Sequence, residues 1–277
     1  VTRRVVATLA RWLPSPFLKA SLGVHLALLV CLVWLPALWP LALAVLVGLH
    51  LALSTVGLVP RGTLLGPNIT RLPAAAARRG EVAITIDDGP DPVVTPAVLG
   101  ILERHGARAT FFCVGERVAA EPELAREIVR RGHSIENHSA THRYHFSLFG
   151  PRRLAWEIDA AQRTIETVAG RRPQFFRAPA GLRNPLLQPV MSRCGVRLAS
   201  WTRRGFDTVA GDPELVARRL LRGLAAGDIL LLHDGRAART PTGAPVILEV
   251  LPRVLTAVTA ARLHPVTLQQ AFAAGAD

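Results

Sequence analysis

From Ala20 to Pro60 the chain carries no lysine, arginine, aspartate or glutamate, and this charge-free run constrains the fold more than any other feature. One membrane-crossing helix needs about 20 apolar residues, and the run is about twice that long. Pro36 and Pro40 fall near its middle. Proline lacks an N–H and collides with the preceding turn, so it breaks a helix there. The run therefore predicts two spans joined by a tight turn, at about 20–38 and 41–59. Trp34 and Trp39 flank the break, where interfacial aromatics are expected. A single long span and a buried core hairpin are the alternatives. A secretory signal is not expected, because the apolar core is too long and the small-residue cleavage pattern is missing.

Basic residues bracket the run: Arg3, Arg4, Arg11 and Lys19 before it, Arg61, Arg71, Arg78 and Arg79 after it. With two spans both flanks lie on one side, and the positive-inside rule assigns that side to the cytoplasm. The expectation is a bacterial-type inner (cytoplasmic) membrane with the remaining domain facing the cytoplasm. With one span the two flanks tie and the rule is silent.

The formal net charge is +13, and Lys19 is the only lysine, so arginine carries almost all of it. A nucleic-acid surface would cluster basic residues on one element with aromatics between them. Here the arginines are scattered and aromatics are 5% of the chain, so no nucleic-acid partner is expected. Genomic base composition accounts for the arginines most simply, with anionic lipid near a membrane next. Cys31, Cys113 and Cys194 have no Cys-x-x-Cys spacing and apolar neighbours; they read as buried free thiols with no disulfide framework.

The expected organisation is a membrane segment at 1–60, a linker at 61–80 and a soluble domain at 81–277. Gly66-Pro67-Asn68 and an alanine run ending at Arg78-Arg79-Gly80 mark the linker. The sequon Asn68-Ile69-Thr70 reads as chance. Beyond Gly80, β-rich runs at about 81–86, 108–114, 133–136, 174–177, 196–201, 228–232 and 264–267 alternate with helical patterns. Those helices are expected at about 95–105, 121–131, 151–169, 185–194, 213–226 and 246–261. Strict alternation implies a parallel sheet with helical crossovers, as a TIM-like barrel or an open doubly wound sheet.

Sites in such folds gather at the C-terminal ends of strands. Five segments meet that condition. Asp87-Asp88-Gly89-Pro90 follows Val82-Ala83-Ile84; two adjacent carboxylates repel unless a cation stands by, and a metal would leave one as ligand and the other as a base. The plain alternative is an Asp-Gly-Pro turn. His138 and His142, four apart, can face one metal ion. Together with a carboxylate they make an Asp/His/His set suited to a zinc-type ion. Arg177, after Phe175-Phe176, can pair with a carboxylate or lie on the surface. Trp201-Thr202-Arg203-Arg204-Gly205-Phe206-Asp207 alone reads as a core tryptophan and a solvated loop. His233, at the exit of Ile229-Leu230-Leu231-Leu232, is suited to acid or base work or to a structural role.

In this order the five segments resemble the polysaccharide deacetylase family (carbohydrate esterase family 4, the NodB-homology domain) over about 81–270. Ala109-Thr110-Phe111-Phe112 and Arg131-Gly132-His133 resemble it too. The resemblance implies an α/β fold, a distorted seven-stranded (β/α) TIM-like barrel, here preceded by an N-terminal transmembrane helical segment. It implies that Asp87 is the general base and that Asp88, His138 and His142 hold the metal. Arg177 would keep the base ionised, His233 would be the general acid, and Asp207 would tune His233. Pro179 would line the substrate groove, Leu231 and Trp201 an acetyl pocket, and a backbone N–H near Ala180 would face the oxyanion. The implied cofactor is one divalent ion, zinc before Co2+, Ni2+ or Mn2+.

Two positions depart from the family: Ala180 where a bulky or aromatic residue is usual, and Thr208 where tryptophan is usual. Both shape the groove, so a long polymer substrate is put in doubt. The expected function is metal-dependent removal of N-acetyl groups from an amino-sugar glycan or lipid-linked sugar at a lipid bilayer. The competing readings are a catalytically inactive glycan-binding module and a deformylase of an undecaprenyl-linked sugar.

Overall fold

The computed structural model describes residues 12–273. Arg3, Arg4 and Arg11 of the basic flank lie outside the described residues. Helix α1 (Pro16–Trp34) starts before the charge-free run, because Ser15 caps it by accepting the Leu18 N–H and proline occupies the first turn. Pro36–Leu38 form a 3-10 turn, and α2 (Trp39–Gly57) follows. Two helices broken at the prolines are present, each a few residues earlier than the stretches expected as spans. Both helices are long and apolar enough to cross a membrane, with mean hydropathy 2.0. Cys31 in α1 is only partly buried, unlike the buried Cys113 and Cys194; all three are free thiols.

Residues 61–80 are not a loose linker. Leu65, Leu72 and Ala76 are buried, and the alanine run forms a short helix, α3 (Ala74–Arg78), in keeping with alanine's helix propensity. The backbone around Ile69 also joins the sheet: Ile69 N–H donates to the Leu198 carbonyl at 3.0 Å and Ser200 N–H to the Ile69 carbonyl at 2.8 Å.

The sheet contains β1 (Glu81–Asp87), β2 (Ala109–Cys113), β3 (Ser134–Asn137), β4 (Phe175–Phe176), β5 (Arg197–Leu198), β6 (Arg203–Arg204), β7 (Ile229–His233) and β8 (His264–Pro265). Its order is β5-β4-β3-β2-β1-β7-β6, every pairing is parallel, and β8 pairs with the start of β1. The crossovers use α4 (Val94–Arg104), α5 (Gly115–Ala120), α6 (Pro122–Arg130), α7 (Pro151–Ala169), α8 (Leu187–Cys194), α9 (Pro213–Leu221) and α10 (Ile247–Ala260); α11 (Leu268–Ala273) follows β8. This curled parallel sheet with its helices is the expected distorted barrel. Residues 69–72 bridge from the β5 side to the residues leading into β7, with Leu72 N–H donating to the Gly227 carbonyl at 2.8 Å.

Alternation along the strands creates two apolar layers. Ile84, Ile86, Phe111, Leu230 and Leu232 face outward against the helices. Ala83, Phe112, Phe175, Ile229 and Leu231 face inward, where Leu268 and Ala271 of α11 pack against them. The run expected as a strand at 196–201 forms a strand only at Arg197–Leu198, with Ala199 bridged to Ile69 beyond it. Strand β6 was not expected, because two arginines carry no apolar signal; it is recruited through backbone pairing of Arg203 and Arg204 with Leu230 and Leu231.

Candidate active site

Register brings the first two functional groups together. Asp87 ends β1, His233 ends β7, and the two are paired across the parallel ladder. Both therefore point to the inner side, as do Thr85 and Leu231 two residues earlier. The next residue in an extended chain would face the opposite way. Asp88 escapes this because its φ is +76°, a left-handed conformation that aspartate tolerates better than most residues. The turn lets both carboxylates line one cavity of about 530 Å3.

His138 follows β3 directly, and a loop with positive φ at Ser139 (67°) and His142 (50°) returns the second histidine beside it. The His142 Nε2 lies 3.1 Å from Asp88 Oδ1, and the His138 Nε2 lies 3.4 Å from the same oxygen. The His138 Nδ1 is 2.8 Å from the Arg177 carbonyl. A carbonyl only accepts, so Nδ1 carries the proton and Nε2 keeps a free lone pair. Ligand atoms of Asp88, His138 and His142 all lie within 4.8 Å of one another. Asp88 Oδ1 is buried with no hydrogen-bond donor on it. Three lone pairs converging on one point suit a cation, so this donor set fits a divalent metal ion. Burial first, then the neighbouring His138, push the His142 imidazole down to about 3, which keeps it neutral.

Asp87 is held apart from that trio. Its Oδ1 accepts from Arg177 Nη1 at 2.6 Å, while its Oδ2 stands 3.7 Å from His138 Nε2. Arg177 is fully buried and fixed on all sides. It donates to Thr85 Oγ1 at 2.8 Å, to the Ala199 carbonyl at 3.0 Å and to the Ser200 carbonyl at 2.8 Å, and stacks 4.0 Å from the Phe112 ring centre. Burial pulls its pKa down and Asp87 opposes that pull.

His233 is gripped by Asp207, which accepts from Nδ1 at 2.9 Å and from the His233 backbone N–H at 2.7 Å. Burial alone would lower the imidazole pKa; Asp207, then Asp87 and Asp88, outweigh it and raise it to about 9. The ring is therefore cationic at neutral pH, with Nε2 left for the cavity.

All the sequence-predicted residues meet here except Asp207, which stands behind His233 and out of the cavity, and Arg177, buried beneath Asp87. Pro179, Ala180, Trp201, Leu231 and Thr208 line the cavity. Ala180 has φ +55°, inside a tight turn after β4. Sequence reasoning gave no role to Tyr144, Arg204 and Arg236, which also line the cavity; Arg236 stacks 4.9 Å from the Tyr144 ring centre. It also missed Glu157, fully buried in α7, which accepts the Ala140 N–H at 3.1 Å, the Thr141 N–H at 3.0 Å and the Thr141 hydroxyl at 2.8 Å. The one signal for it was an acid on the inner face of a helix facing the histidine loop.

Comparison with known proteins agrees with this geometry. The family model described as polysaccharide deacetylase matches residues 74–199. A peptidoglycan-N-acetylglucosamine deacetylase from Bacillus cereus is 34% identical over 175 residues, covering 62% of this chain and 81% of that protein. A chitooligosaccharide deacetylase from Azorhizobium caulinodans is 36% identical over 158 residues, covering 57% and 75%. Among solved structures, a family 4 carbohydrate esterase from Streptomyces lividans in complex with acetate has a TM-score of 0.61 at 30% identity, covering 67% of this chain and 91% of that one.

Proposed function

Since the chain belongs to the polysaccharide deacetylase family, we propose that it hydrolyses the N-acetyl amide of an amino sugar, in a glycan or on a lipid carrier, using one divalent metal ion. Carbohydrate deacetylation is the activity of the relatives it matches, which are deacetylases of peptidoglycan and chitooligosaccharide. The observation that carries the reading is the convergence of a held base, a held acid and a three-ligand cation site on one cavity.

Asp88, His138 and His142 would hold the ion, zinc before cobalt, nickel or manganese for this nitrogen-rich set. When bound, the ion supplies Lewis acidity toward the amide carbonyl and the attacking water. Asp87 takes the proton from that water through Oδ2, since Arg177 donates to Oδ1 and supplies the counter-charge. The water oxygen bonds to the carbonyl carbon, and a backbone N–H at Ala180 steadies the charge on the carbonyl oxygen. His233 delivers its Nε2 proton to the nitrogen as the C–N bond breaks, which leaves acetate and a free amine. Leu231 and Trp201 receive the acetyl methyl, and Pro179 borders the sugar.

We read residues 1–60 as a membrane hairpin and 81–277 as the catalytic domain, on the cytoplasmic side by the basic residues that follow α2. The test is acetate release from N-acetylglucosamine oligomers by the purified full-length protein. Activity is expected to vanish on chelation and return with metal. Asp87→Asn and His233→Ala should each cost on the order of a hundredfold or more in turnover while metal stays bound. Near-full turnover in either variant overturns the roles, and no release by metal-loaded wild type favours an inactive binding module.

A further inference from the structure

Beyond Gly57 the chain does not leave the barrel. The Arg183 N–H donates to the Gly57 carbonyl at 3.2 Å, and Ser200 Oγ donates to the Pro60 carbonyl at 2.8 Å. Arg61 Nη1 reaches the Thr202 carbonyl at 2.9 Å. Arg183 and Ser200 follow β4 and β5 on the face that carries the active site, whereas Thr202 immediately precedes β6, so the end of α2 lies against the rim of the catalytic mouth and Arg61 reaches down along β6.

Between this rim and α9 lies a second cavity of about 490 Å3, which shares Trp201 and Arg204 with the catalytic one. Five arginines line it: Arg61, Arg203, Arg204, Arg219 and Arg222, with no acidic residue among its lining. Arg203 pairs with Asp228, which also pairs with Arg71. Among the described residues, no carboxylate pairs with the other four. Arg204 stacks 4.8 Å from the Phe206 ring centre, Arg219 stacks 5.5 Å from the same ring, and the Arg204 Nε is buried without a hydrogen-bond partner. Like charges held this close repel, and an anion relieves them. Guanidinium forks match phosphate oxygens in shape as well as charge. A neutral glycan uses none of this.

We infer that this arginine cleft binds the phosphate or diphosphate of a lipid-linked amino sugar. Arg204 stands between the anion and the sugar, whose N-acyl group enters the catalytic cavity. The lipid chain runs alongside α2. The inference rests on the hydrolase reading above and narrows its substrate.

The test uses metal-loaded full-length protein in uncharged detergent micelles. Two substrates carry the same N-acetylglucosamine on the same long-chain alcohol, one through diphosphate and one as a direct glycoside. Wild type should favour the diphosphate substrate by about tenfold or more in kcat/KM, and R219Q/R222Q should erase most of that ratio, since one lost charge-assisted contact corresponds to about a tenfold effect. Equilibrium binding of the two lipids is read in parallel and does not depend on turnover. Wild type should retain the diphosphate lipid more tightly, and the double variant should lose that difference. Equal kcat/KM and equal retention of the two lipids by wild type overturns the cleft's role, as does a preference that survives in R219Q/R222Q. Inhibition by phosphatidylglycerol vesicles as strong as by the diphosphate lipid also overturns it, by making the cleft a general headgroup contact. Acetate from neither substrate sinks the hydrolase reading instead, and the binding arm still decides the cleft.

Discussion

Asp87 and Asp88 are chemically identical neighbours with different partners. Asp87 faces a buried guanidinium, and Asp88 faces two imidazole nitrogens. The first environment gives the proposed base a counter-charge, and the second leaves the proposed ligand a lone pair toward the cation site. Asp87→Asn leaves Arg177 buried without its counter-charge, so a loss of stability of about 3–5 kcal/mol should accompany the lost turnover, visible in denaturant unfolding. His233 carries a testable sign. Its pKa is raised to about 9 by Asp207 against burial, so it holds its proton below that pH and loses it above. The kcat/KM profile should fall on the alkaline side, and Asp207→Asn should move that limb to lower pH. A limb that stays in place in this variant would show that Asp207 does not tune the acid. The sequence pointed to Asp87, Asp88 and His233 because each stands at the exit of an expected strand, whereas Asp207 follows the unexpected β6 and was singled out only through the family resemblance. The left-handed turns at Asp88 and His142 were not legible there, since neither is glycine and only the assembled loop imposes them.

At the scale of elements, apolar periodicity located long strands and amphipathic helices well. It failed where pairing rests on backbone alone, as at β6, and where a run is too short to show a period, as at α5. Tyr144, Arg204 and Arg236 carried no signal because only the curl of the sheet brings their loops to one cavity. The histidine loop depends on α7: Glu157 accepts its two N–H groups and one hydroxyl and is itself paired with Arg153 at 2.8 Å. Groups behind metal ligands fix their direction. Glu157→Gln should weaken metal affinity by about 10–100-fold in a chelator competition while the helix content stays constant. A variant that holds metal as tightly as wild type would make Glu157 a packing residue only. Gly181 marks another constraint. With φ +74°, a Cβ there would lie 2.7 Å from both Pro60 and Trp201. Gly181→Ala should therefore disturb the rim and the proposed acetyl pocket together, raising KM more than it lowers thermal stability.

Across the whole molecule, the stretch read from sequence as a linker turns out to be part of the barrel wall. Punctuation residues such as Gly66-Pro67 mark turns, and turns occur in packed segments as well as loose ones. A chain beginning at residue 61 should keep Leu65, Leu72 and Ala76 in place and melt cooperatively. One beginning at residue 81 exposes the cavities they fill and should lose several degrees of melting temperature or aggregate. Equal melting of the two would show that this segment is dispensable.

The contacts from Gly57 and Pro60 to the barrel rim also act as a leash of almost no length. On the proposal that the hairpin lies in a bilayer, the mouth would sit at a set height and could not sweep outward in search of material. Encounters then become a two-dimensional problem. Turnover should follow how densely the target populates the surrounding leaflet, and diluting the same amount of target into more membrane should slow the reaction even when its total concentration is unchanged.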